Sequence, residues 1–239
     1  MIKIENDVTF GWESTIRGMR NPMNSWDKSD SGWVDFEDWD CGHGIPDGNG
    51  WAFVVGENDL ALMKKLSKAG ADHGKFLRMI NVTFDITAPL YWWKEFDTYK
   101  VGTVANSCST MHRIHAKEFT LDDFSHEHLI STMGTTFESV DLLEMTIEML
   151  NKYRQKYLEA KTEPMDESKR SEVMKRYWWQ MIQLLPSSYN QKRTVQLNYQ
   201  VLKSMYHARK NHKLDEWREF CAWVETLPYA KELVLGDNT

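Results

Sequence analysis

Ile80-Asn81-Val82-Thr83-Phe84-Asp85-Ile86-Thr87-Ala88-Pro89 is the stretch on which the fold turns. Ile80, Val82, Phe84 and Ile86 alternate with Asn81, Thr83, Asp85 and Thr87. A period of two puts one set on each face of a β-strand. One apolar and one polar face is the signature of an antiparallel sheet that packs on a single side. We place this strand over Met79–Thr87. Ala88-Pro89 then ends the ladder, because proline has no N–H to give it, and opens a helix in whose first turn proline is tolerated. That helix carries Leu90, Trp92, Trp93 and Phe96.

Upstream, Ile2 and Ile4 alternate with Lys3 and Glu5, a short strand over Met1–Glu5. A helix is expected from Thr9, read as its N-cap, and ends before Pro22. Residues 24–50 have the composition of a loop, with Gly32, Gly42, Gly44, Pro46, Gly48 and Gly50 among serines and aspartates. We therefore expect an irregular Trp/Gly/Asp-rich insertion at about residues 21–56, with Trp26, Trp33, Trp39 and Trp51 as anchoring rings rather than stacking platforms. Asn58–Ala69 reads as a helix that Gly70 stops.

Downstream, Val101–His115 reads as irregular and polar, and Leu121–Leu129 as a short helix. Val140, Leu143, Ile147 and Leu150 recur at helical spacing in a long amphipathic helix over Glu138–Lys161. Pro164 separates it from a helix over Ser168–Leu185, which Pro186 ends. Asn198–Lys210 and Leu214–Leu227 are the closing helices. The expected fold class is α+β, a small antiparallel sheet with packed helices, in one domain spanning residues 1–239.

The chain has a formal net charge of −6 over 239 residues, so its overall field does not draw it to nucleic acid. Three cysteines, Cys41, Cys108 and Cys221, form no zinc spacing. The cysteine usage, with no N-terminal signal pattern and no membrane-length apolar run, places the chain in the cytoplasm. Asp35, Glu37, Asp38, Asp40 and Asp47 do not have the spacing of a calcium loop, and no metal site is expected. Arg17, Arg20, Asn21, Asn24, Trp26 and Lys28 are close enough in sequence to grip a phosphate and a base. A solvated helix end with an ordered turn is the plainer reading of them. Cys108 is read as buried and inert, with a reactive thiolate beside Lys100 and Arg113 as the alternative.

The run Val82–Phe96 resembles the strand, Ala-Pro and helix that precede the motif of the flavin-dependent thymidylate synthases. That motif reads R-H-R-x-x-S-x-N-E-x-S-x-R-Y. It falls here on Thr98–Arg113 with a one-residue insertion before Asn106. Asn106 and Ser109 match the family's Asn and Ser. Thr98, Tyr99 and Lys100 replace Arg-His-Arg, Ser107 replaces Glu, and Met111 and His112 stand at Arg and Tyr, with Arg113 one step on. A second block, Leu185-Pro186 followed by Asn198 and Arg209, has the family's spacing. The family's Arg four residues before the proline is Ile182 here, and its His on the strand before Ala-Pro has no counterpart near Met79. The likeness covers about residues 55–235.

The resemblance implies nucleotide contacts from Lys100, Asn106, His112, Arg113 and Arg209, and cofactor contacts from Asn198 and Tyr99. Ser109 and Arg209 would be the catalytic groups. FAD and a folate are the implied cofactors, a dUMP-like pyrimidine nucleotide the ligand, and a homotetramer with shared sites the assembly. If active, the chain would transfer a methyl or hydroxymethyl group to a uracil nucleotide. The departures argue against ordinary thymidylate synthesis. Arginine forks match phosphate oxygens two at a time, and Thr-Tyr-Lys leaves one point charge, at a loss of roughly 1 kcal/mol or more for each charge-assisted bond not made. The alternative is a non-catalytic protein that binds or sequesters nucleotides. Asn198 and Arg209 are eleven residues apart, close to three helical turns, so both are expected on one face, opposite the loop carrying Asn106, Ser109, His112 and Arg113.

Overall fold

The computed structural model describes residues 2–35, 44–131 and 137–236. In chain order these form β1 (Lys3–Phe10), α1 (Trp12–Arg20), β2 (Gly32–Asp35), β3 (Gly44–Pro46), β4 (Trp51–Val54) and α2 (Glu57–Lys68). There follow β5 (Asn81–Pro89), α3 (Leu90–Phe96), β6 (Thr103–Ser107) and α4 (Thr110–Arg113). The chain continues with α5 (Ser139–Thr162), α6 (Glu167–Leu184), β7 (Asn190–Asn198), α7 (Tyr199–Arg209) and α8 (Asp215–Thr226). Among the described residues the strands make two sheets, one in the order β1-β5-β7-β6 and one in the order β2-β4-β3. The fold class is α+β with small antiparallel sheets and packed helices. The alternation that marked β5 has its expected consequence: Val82, Phe84, Ile86 and Ala88 are buried while Asn81, Thr83, Asp85 and Thr87 between them are not, and buried Pro89 closes the strand.

By packing, the chain divides into two compact units, the first containing residues 87–96 and 107–193, the second residues 2–86, 97–106 and 194 onward. Pro164 lies inside the first unit and marks no boundary. In that unit Leu143, Ile147 and Leu150 of α5 pack with Met181 of α6 and with Ile114, Phe119 and Phe124. The helix begins on a reciprocal cap. Glu138 accepts from the N3 backbone, and the Asp141 carboxylate accepts the Glu138 N–H at 2.7 Å.

In the second unit, α1 does not start on Thr9. Thr9 belongs to β1, and its hydroxyl accepts the Trp12 indole N–H. Gly11 makes the corner at φ +91°, and a Cβ there would stand 2.4 Å from the Met79 carbonyl oxygen, so only glycine passes. The helix ends at Arg20, before Pro22, as its sequence requires.

Three stretches differ from the sequence reading. In its described residues the insertion is not irregular, because β2 and β3 both pair antiparallel with β4, Trp33 opposite Phe53 and Ile45 opposite Phe53. Two of its glycines make a turn, Gly48 and Gly50 having positive φ between β3 and β4, while Gly32 and Gly44 open strands. Its described tryptophans are not buried anchors, since Trp26, Trp33 and Trp51 keep 51%, 47% and 47% of their surface exposed. Trp39, Cys41, Glu37, Asp38 and Asp40 lie outside the described residues. The second difference is Val101–His115, which contains β6 and α4. The third is Leu121–Leu129, where a single 3-10 turn, Leu121–Asp123, replaces the expected helix. β7 has no counterpart in the sequence reading. Its buried members are Gln191, Val195, Leu197 and Asn198, with Lys192, Arg193 and Thr194 in a row between the first two, which dilutes the period.

Candidate functional site

Arg209 is the last residue of α7. Its Nε donates to the Tyr99 hydroxyl at 3.0 Å. Its guanidinium carbon lies 4.8 Å from the centroid of Trp217 and 5.7 Å from that of Tyr99. Trp217 is fully buried and meets Tyr99 edge-on at 6.1 Å. Two rings and a hydrogen bond therefore fix the plane of this half-buried cation, an arrangement in which ring quadrupoles attract the charge. The position also suits the helix dipole, which favours positive charge at a C-terminus.

Asn198 sits at the other end of α7 as its N-cap, its side-chain oxygen accepting the Val201 N–H at 3.1 Å. Gly102, at φ +81°, lies against it: a Cβ there would be 2.9 Å from Asn198 Nδ2 and 3.0 Å from Val201 Cγ2. Tyr99 at one end and Gly102 at the other thus lay the segment Tyr99–Gly102 along α7. Lys100 is exposed within it, and Asn106 is exposed on the edge strand β6. The structure so brings Tyr99, Asn198 and Arg209 onto one helix and its neighbouring segment.

Ser109, His112 and Arg113 belong to the first unit. Ser109 caps α4 by accepting the His112 N–H at 3.0 Å. His112 and Arg113 are exposed. The Trp178 indole N–H donates to the Met111 carbonyl at 2.7 Å and ties α4 to α6. Cys108 is exposed rather than buried, though its backbone is pinned to Lys192 and Gln191.

The sequence reading missed His115, whose ring packs on Tyr157 at 4.5 Å. Burial pushes its pKa below the ordinary imidazole value, and Lys161, Arg113 and Arg154 push the same way. Its only hint in the sequence is its place beside Arg113. The second unit also has a 720 Å³ cleft walled by Met19, Met23, Phe76 and Met79, with Asp72, His73 and Lys75 as its polar members. That volume is in the range of ligand sites. Met79 is the position near which the resemblance would expect a histidine.

These residues do not reproduce the grip on a flavin that the resemblance implies. Lys100 stands alone for Arg-His-Arg. The Tyr99 hydroxyl is engaged by Arg209, and the Asn198 oxygen by the end of α7. Among the described residues no cluster of His, Cys, Asp or Glu could hold a metal ion, and no helix is long and apolar enough to cross a membrane.

The fold defines the class to which this architecture compares: it is shared with flavin-dependent thymidylate synthases. One solved structure of ThyX from Helicobacter pylori, complexed with FAD and dUMP, superposes with a TM-score of 0.59 at 14% identity, covering 97% of each chain. A second structure of thymidylate synthase X from the same organism, with FAD and dUMP, gives a TM-score of 0.58 at 14% identity, covering 98% of this chain and 97% of that one. No protein-family model matches the chain, and no curated protein matches its sequence.

Proposed function

We propose that the chain binds a pyrimidine mononucleotide of the dUMP type, with Arg209 as the fixed cation that recognises it. The observation that carries this reading is the seating of Arg209 between Tyr99 and Trp217 at the end of α7. A guanidinium presents five N–H donors in a planar fork that matches phosphate oxygens or a uracil carbonyl. The place of Arg209 in the chain is the one that the resemblance gives to the nucleotide arginine. Lys100, Asn106, His112 and Arg113 are the further nucleotide contacts that the resemblance gives, and the neighbours of known structure carry FAD and dUMP. A homo-oligomer, a tetramer by resemblance, is part of the same reading.

Non-catalytic binding or sequestering of the nucleotide is the second reading, favoured by the prior engagement of Tyr99 and Asn198. Under the catalytic reading, a flavin-dependent methyl- or hydroxymethyl-transfer, Ser109 and Arg209 act on the uracil nucleotide and Tyr99 and Asn198 face the cofactor.

The test is thermal unfolding of the purified chain with dUMP. A ligand at about 100 times its Kd that binds only the folded state adds about 2.7 kcal/mol. We expect that gain in the wild-type chain and its loss in Arg209→Ala at an unchanged ligand-free Tm. A gain equal in both proteins would remove Arg209 from the site, and no gain at all would remove the nucleotide. The visible spectrum separates the two readings: a yellow protein supports flavin chemistry, a colourless one that still responds to dUMP supports binding alone.

A further inference from the structure

The cations, amides and indole of the end of α1 and the segment that follows it had no place in the function argued above, and the structure sorts them. Arg20 is consumed internally. Its Nε donates to Asp59 at 2.6 Å, and both side chains are buried. Asp59 also accepts from the Ser29 and Ser31 hydroxyls at 2.7 Å each and from the Asp30 and Ser31 N–H groups at 3.2 Å each. One buried carboxylate therefore locks the backbone from residue 29 to residue 31 against α2. Trp26 stands before this locked segment and Trp33 just after it.

Both indoles are oriented by their N–H groups, Trp26 to Asn21 Oδ1 at 2.8 Å and Trp33 to Glu13 Oε2 at 3.3 Å. Trp33 is further held edge-on by Phe53 at 5.3 Å. Yet about half of the surface of each residue faces solvent. The two rings border a 310 Å³ cleft that Arg17 and Gly32 also line. A Cβ at Gly32 would meet nothing within 4 Å, so the cleft is open there. Among the described residues Arg17 makes no hydrogen bond or ion pair. A second cleft, of 460 Å³, shares Glu13, Arg17, Trp33 and Phe53 and adds Asp47.

Exposed aromatic faces that are rigidly held, beside a cation that pairs with none of the described residues, are a recognition surface rather than a core. The faces suit a flat heteroaromatic ring, since every base offers a π-face. The cation suits an anionic group on the same molecule. The carboxylate of Glu13, which lines both clefts, suits a sugar hydroxyl. We infer that the cleft between α1 and the β2-β4-β3 sheet is a second binding site, for a nucleoside monophosphate, with the base against Trp26 and Trp33 and the phosphate on Arg17. The overall acidity of the chain disfavours a nucleic-acid strand as the occupant.

Tryptophan fluorescence of the full chain tests the inference, with AMP, adenosine and inorganic phosphate as probes. AMP is expected to quench saturably, and adenosine to bind roughly tenfold more weakly for lack of the charge-assisted contact. Phosphate alone should not quench. Arg17→Ala should bring AMP down to the affinity of adenosine. Trp33→Ala should lose binding while Trp33→Phe, which keeps an aromatic face, retains it, with circular dichroism and Tm confirming that both variants fold. Arg209→Ala should leave the AMP curve in place, which separates this site from the one proposed above. Absence of saturable quenching by AMP in the wild-type chain overturns the inference. So does an AMP affinity that survives Arg17→Ala and Trp33→Ala, or one that Arg209→Ala abolishes.

Discussion

At the residue scale, Asp59 organises the most connected polar site among the described residues. It is fully buried, and it meets Arg20 across 39 positions of sequence. Burial by itself raises a carboxyl pKa, but the hydrogen bonds from Ser31, Ser29 and Arg20, with the charge of Arg20, outweigh it, and the Asp59 value lies below the ordinary 3.8. A carboxyl whose folded-state pKa is depressed contributes stability that is complete above its unfolded-state pKa. That contribution is lost as pH falls through the folded-state pKa. Asp59→Asn leaves Arg20 buried without its counter-charge, and breaking such a pair costs about 3–5 kcal/mol. We expect denaturant unfolding at neutral pH to show that loss. Below pH 3.8 the gap between wild type and variant should narrow as the wild-type carboxyl takes up its proton. A variant as stable as wild type at pH 7 would show that the network is dispensable. Nothing in the sequence marks Asp59, because its partners are Arg20 at the end of α1 and Ser29, Asp30 and Ser31 in a segment that reads as loop.

At the scale of elements, the sequence was most readable where one periodicity ran undiluted. β5 and α5 follow from it, with Val82, Phe84 and Ile86 of the strand and Leu143, Ile147 and Leu150 of the helix buried as expected. β6 does not, because it is an edge strand whose residues 104–107 are all exposed, so no apolar alternation is required of it. The two cysteines placed by the structure show the consequence of such positions. Cys108 follows β6 and is exposed, whereas Cys221 faces the core from α8. Burial, reinforced by the nearby Glu225 carboxylate, pushes the Cys221 thiol up to about 12. A thiol reagent reacts with the thiolate, so it should label the Cys108 peptide of the native protein and leave Cys221 untouched until denaturant is added. Peptide mapping by mass spectrometry reads this directly, and native labelling of Cys221 would contradict the packing of α8.

At the scale of the whole molecule, the apolar surface left on α5 bears on assembly. Leu142, Met145 and Met149 follow one another at intervals of three and four residues and are 58%, 56% and 38% exposed. Contiguous exposed apolar surface on a folded chain usually meets a partner. We expect light scattering at micromolar concentration to give a mass that is a multiple of the 28.1 kDa chain. The pair Leu142→Lys and Met145→Lys should lower it. A monomeric wild type would leave this face without an assembly role.

What the sequence determined by itself was the set of elements whose side chains answer to local rules. These are the period-two strand through Phe84, the proline limits at Pro22, Pro89 and Pro186, and the helices with continuous apolar stripes. It also carried the resemblance on which the Arg209 assignment rests. Tertiary structure decided where each polar group spends its hydrogen bonds. Of the arginines near α1, it buried Arg20 against Asp59 and left Arg17 at a cleft, although the two lie three residues apart on the same helix. It made Asn198 and Ser109 helix caps, and it placed Arg209 between Tyr99 and Trp217. The physical reason is that burial and pairing depend on groups brought together from distant parts of the chain, and local periodicity carries no information about which of them meet.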